Sequence, residues 1–141
     1  MKSVTWNELD AQPALREDLP TPSPGAGEVL VRVQASSVNP VDNGIATGLL
    51  RQMGVEYEFP VILGRDYAGV VEQVGPEVTG YDVGDEVFGF ILQANPTVRD
   101  GSWAELIAVP DDIAIAPVPT GVDLAALGAG AVHVLATCQE P

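Results

Sequence analysis

Apolar and polar positions alternate most cleanly between residues 28 and 36. Val29, Val31, Val33 and Ala35 fall on one side, and Leu30, Arg32 and Gln34 on the other. Successive side chains of an extended chain point to opposite faces, so this run predicts a half-buried strand. A second pattern fills residues 59–90. Val70, Val71 and Val74 lie in one β-branched run, and Val83, Val87 and Phe88 lie in or beside another. Gly64, Gly69, Gly75, Gly80, Gly84 and Gly89 punctuate them. Short runs between glycines predict tightly turned antiparallel structure, a barrel or sandwich. Further strands are expected at residues 2–6, 102–109 and 113–118, the first pairing as a hairpin with 15–19. Pro20, Pro22, Pro24, Gly25 and Gly27 predict a surface loop over residues 20–27, because proline lacks an N–H for regular structure. Residues 49–58 and 91–100 read as irregular.

Helical signals are fewer. Asn39-Pro40 predicts a helix start: the Asn39 side-chain oxygen can accept a first-turn N–H, and Pro40 suits the first helical position. Asp42 in the first turn favours the helix dipole, and Gly48 marks a stop. Residues 122–138 are apolar and alanine-rich, and predict a helix capped by Asp123. Gly128 and Gly130 weaken it by about 1 kcal/mol each relative to alanine.

Composition narrows the function classes. The 141 residues fit one domain, and 46% hydrophobic with 18% charged residues indicates a folded globule. Twenty acidic residues against 6 basic ones give a net charge of −14, which repels phosphate backbones and argues against nucleic-acid binding. The single cysteine, Cys138, excludes an internal disulfide and a cysteine-rich zinc site. Residues 1–12 lack the apolar core of a signal peptide, and no apolar run reaches membrane-spanning length. A cytoplasmic location without a membrane partner is therefore expected.

Phe59-Pro60-Val61-Ile62-Leu63-Gly64-Arg65-Asp66, Ala68-Gly69-Val70-Val71 and Val83-Gly84-Asp85-Glu86-Val87 together resemble the medium-chain dehydrogenase/reductase superfamily, in its N-terminal GroES-like domain. The likeness extends through residues 27–33 and Val38-Asn39-Pro40-Val41-Asp42 before that stretch, and Gly101-Ser102-Trp103-Ala104-Glu105 after it. It implies a mainly β fold: a GroES-like, partly open β-barrel with short helices and a C-terminal helical segment. Residues 1–121 would form the substrate-side catalytic domain. Residues 122–141 would begin the connector helix toward a Rossmann nucleotide-binding domain that this chain does not contain.

The resemblance also frames the site. Asn39 and Arg65 stand where the zinc-containing branch has a cysteine and a histidine ligand. An amide and a permanent cation are poor metal ligands, so no zinc is expected and the chain looks like the zinc-independent, quinone oxidoreductase-like branch. The candidate catalytic residues are Asn39, Asp42 and Asp66, with Asn39 also the candidate cofactor-binding residue at the nicotinamide end. Each has a second reading: helix capping for Asn39 and Asp42, and a local ion pair or turn cap for Asp66. Relatives often place an aromatic residue shortly after the aspartate, where Asn43 and Gly44 stand here, implying a wider or less apolar cleft. Gly128-Ala129-Gly130-Ala131 lacks the preceding strand and third glycine of a dinucleotide fingerprint. His133, alone on an alanine-rich run, reads as a surface or packing residue.

The expected function is the substrate side of a zinc-independent oxidoreductase that uses NADPH or NADH on a small carbonyl or quinone-type substrate. A Rossmann domain would act in cis or in trans, and the chain alone would bind no cofactor and be inactive. The alternative is a standalone GroES-like β-barrel module for interaction or assembly, without catalysis. Apolar residues of 122–141 give either version a route to a homo-oligomer.

Overall fold

The computed structural model describes residues 1–91 and 100–128. Residues 92–99 of the expected loop, and the expected helix beyond Gly128 with Gly130, His133 and Cys138, lie outside the described residues.

The described residues form two antiparallel sheets. One is five-stranded, in the order β7-β3-β5-β6-β8: β7 Leu106–Pro110, β3 Glu28–Ser36, β5 Asp66–Val74, β6 Glu86–Phe90 and β8 Ile115–Pro117. The other is three-stranded, β2-β1-β4, from Ala14–Arg16, Ser3–Trp6 and Val61–Ile62. A bridge between Ser3 and Ala104 joins them, flanked by Val4 N–H to the Trp103 carbonyl at 2.8 Å and Glu105 N–H to the Lys2 carbonyl at 3.0 Å. Neither sheet closes on itself among the described residues, which gives the partly open barrel.

The alternating run becomes β3 with the expected bounds. Val29 and Val31 join Tyr67, Val71, Val87 and Ile107 in the largest buried cluster. Leu30, placed on the polar side by alternation, is also buried. Slips in the β3–β5 register at Leu30/Val31 and Val33/Ala35 mark bulges there. Val83 stays outside β6 and is exposed.

Other boundaries shift for local reasons. The hairpin partner of β1 covers Ala14–Arg16, with Val4 opposite Leu15, and ends before Leu19. Residues 102–105 precede β7: Ser102 and Trp103 bond to the site described below, and Ala104 and Glu105 pair with Ser3 and Lys2. Helix α1 (Pro40–Ala46) is followed at once by α2 (Leu49–Gln52), which falls in the stretch expected to be irregular. Gly48, at φ +91°, ends α1 and starts α2 in a left-handed conformation that glycine adopts without strain. Ile45 and Leu50 pack with Val61 and Leu63 in a second buried cluster.

At the other end Asp123 Oδ1 accepts the Ala125 N–H at 2.8 Å and starts α3 (Leu124–Gly128) as expected. Leu127 packs on Ala68 and Phe88 of β5 and β6. Among the described residues no helix is long and apolar enough to cross a membrane.

Candidate functional site

The site forms where the chain leaves β3, turns into α1, and meets the start of β5. Asn39 is the residue before α1, in extended conformation. Its side-chain amide donates to Asp66 Oδ2 at 2.7 Å and to Ser37 Oγ at 3.0 Å. Ser37 Oγ in turn donates to Asp66 Oδ2 at 2.7 Å, closing a triangle. Both amide hydrogens of Asn39 are thereby spent within the protein. The N-cap position expected for Asn39 is correct, but the best-defined capping bond runs backward, from the Asn39 N–H to Asp42 Oδ2 at 2.7 Å.

Asp42 is buried and holds a second backbone group, the Gly64 N–H, at 3.1 Å through Oδ1. Burial raises its pKa; the two backbone donors and the charge of Arg65 offset this in part. With both oxygens on backbone amides, Asp42 works between two chain segments.

Asp66 is buried too. Oδ2 takes the Ser37 and Asn39 donors, whereas Oδ1 has no partner. Its carbonyl oxygen receives Ser36 Oγ and Ser102 Oγ, each at 2.7 Å. Trp103 Nε1 donates to the Ser37 carbonyl at 3.0 Å, fixing the other side of the triangle. Arg65 lies on the Asp42 side, buried, with Nε and Nη2 unpartnered. Burial lowers its pKa, opposed first by Asp42 and then by Asp100 and Tyr57.

The fold thus brings Asn39, Asp42 and Asp66 together. The sequence reading missed Ser36, Ser37, Ser102 and Trp103 as supports. Ser102-Trp103 stood within a stretch that carried the resemblance, but a hydrogen bond across 66 positions has no periodic signal.

The site's residues are an amide, two carboxylates and a guanidinium. Among the described residues no group of three or more His, Cys, Asp and Glu is placed to hold a metal ion. The alcohol dehydrogenase GroES-like domain family matches residues 25–120. The chain belongs to the alcohol dehydrogenase GroES-like domain family.

This GroES-like chain is similar to the NAD(P)H oxidoreductase RTN4IP1, mitochondrial, of Dictyostelium discoideum, at 33% identity over 122 residues, 83% of this chain and 34% of that protein. It is 36% identical over 100 residues to the zinc-type alcohol dehydrogenase-like protein C337.11 of Schizosaccharomyces pombe, covering 70% of this chain and 28% of that one. In structure it resembles a quinone oxidoreductase of Pseudomonas syringae pv. Tomato DC3000, with TM-score 0.72 and 26% identity over 87% of this chain and 35% of the other. The GroES-like chain spans about a third of the length of these proteins.

Proposed function

We propose that this chain supplies the substrate side of a zinc-independent NAD(P)H-dependent oxidoreductase acting on a small carbonyl, enone or quinone. The observation that carries the reading is the Ser37–Asn39–Asp66 triangle with Arg65 beside it. Asn39 and Arg65 occupy the positions where the zinc branch has ligands, and a neutral amide and a guanidinium cation are poor ligands for zinc, which takes thiolate, imidazole or carboxylate. Reduction of a carbonyl or enone places negative charge on oxygen. The buried Arg65 guanidinium is a fixed positive charge in a water-poor setting, the kind of group that stabilises such charge.

The cofactor, when bound, supplies the hydride. Asn39 meets a nicotinamide carboxamide as an acceptor, through its side-chain oxygen, since its own hydrogens are engaged. Asp66 keeps Asn39 oriented. No complete phosphate-binding turn occurs in the sequence, so a nucleotide-binding domain in cis or in trans is part of this proposal, and the chain by itself is expected to be catalytically silent. Residues 1–121 form the substrate-side unit in this reading, with 122–141 leading to that domain.

The test supplies a nucleotide-binding domain and follows NAD(P)H oxidation with quinones, enones and aldehydes, before and after exhaustive chelation. Turnover that survives chelation is expected. Turnover lost to chelation and restored by zinc overturns the zinc-independent reading; no turnover with any substrate class overturns the oxidoreductase reading. On the chain alone, elemental analysis should find no stoichiometric zinc.

A further inference from the structure

We propose that Asp42 is a positioning residue: a buried two-armed clamp that sets the Asn39 side chain against Asp66 and does not itself meet substrate. The proposal rests on the reading above only in calling this place the substrate side; the clamp itself follows from geometry.

One arm is the Asn39 N–H on Oδ2 at 2.7 Å, the other the Gly64 N–H on Oδ1 at 3.1 Å. The first belongs to the residue that donates to Asp66, and the second lies two residues before Asp66. The contact between Asn39 Nδ2 and Asp66 Oδ2 joins segments 27 positions apart. Ser36 and Ser37 tie the end of β3 to Asp66, and Asp42 adds the tie between the α1 start and the turn before β5, with both oxygens.

An ionised carboxylate suits this task because it is acceptor-only on both oxygens. An asparagine there presents one acceptor and one NH2, and the NH2 opposes one of the two backbone donors. Asp42 is 1% exposed, so water does not make good the lost partner. The charged groups facing Asp42 are Arg65, which favours its ionised form, and Asp66, which disfavours it.

The experiment uses the full chain, isotope-labelled, with no cofactor or substrate, so its outcome is independent of the oxidoreductase reading. Hydrogen exchange of the Asn39 side-chain amide is compared between the native chain and Asp42→Asn. Exchange should quicken about tenfold on loss of the Asp66 bond, while the backbone amides of Val31, Val70 and Val87 keep their protection. Unchanged Asn39 exchange in a folded variant overturns the clamp. If Asp42→Asn does not fold, the native chain is titrated instead. The Asn39 side-chain amide should follow the same midpoint as the Gly64 backbone amide, and an Asn39 signal blind to that midpoint overturns the proposal.

Discussion

Gly64 holds the site together by what it lacks. Its φ is +92°, and a Cβ there would strike Ser102 Oγ and the Trp103 ring. Its N–H is one of the two groups on Asp42. Gly64→Ala is expected to cost about 1–3 kcal/mol through strain and displacement of the Ser102–Trp103 segment. Urea unfolding reads this, and a loss below about 0.5 kcal/mol contradicts it. Asp42 makes a prediction of opposite character, in pH. Its folded pKa lies above the ordinary value, because burial outweighs its hydrogen bonds. Between the unfolded carboxylate pKa and that raised value the folded state holds more protons, so Asp42's contribution to stability falls as pH rises through the window. Asp42→Asn removes that slope. The stability of the native chain minus that of the variant should therefore decline from about pH 4 upward, and a difference that grows with pH refutes the sign. The motif made these residues legible as candidates. It did not tell Asp42, with both oxygens on backbone, from Asp66, with one oxygen unpartnered.

Among the elements, β3 was readable to the residue because one face packs in the core and the other bears the Arg32–Glu72 ion pair at its solvent side. Helix α2 was not readable. Four residues carry too little pattern, and it forms because Gly48 turns the chain and Leu50 finds Ile45 and Val61. Helix α3 is fixed by packing in the same way. Leu127 is 4% exposed beneath Phe88, and a Cβ on Gly128 would meet Ala35. Leu124–Gly128, the described part of the segment expected to offer apolar surface for self-association, docks on the sheet. Leu127→Ala should cost about 2–5 kcal/mol, from lost burial and the cavity left behind. A cost under about 1 kcal/mol, by calorimetry or urea, means that α3 is not anchored.

At the scale of the whole molecule, charge and topology decide different things. The net charge is −14, and the ion pairs Lys2–Glu17, Arg16–Asp18 and Arg32–Glu72 all lie at exposed or half-exposed side chains. Self-repulsion among so many carboxylates is screened by salt. Raising sodium chloride to about 0.5 M should raise the melting temperature by a few degrees, and a fall would show that specific ion pairs outweigh repulsion. The sequence alone determined the antiparallel β class, the bounds of β3, the starts of α1 and α3, and the neighbourhood of the site. Each rests on local information: alternation, proline and glycine punctuation, capping residues, and a motif whose spacing is itself local. Only the tertiary structure decided that Leu30 is buried as well as its alternating neighbours, that Ser102 and Trp103 reach Asp66 and Ser37, and that Asp42 binds across to Gly64. Those contacts join segments from different strands and turns, and their energies exist only once the sheets have brought the segments within hydrogen-bond reach.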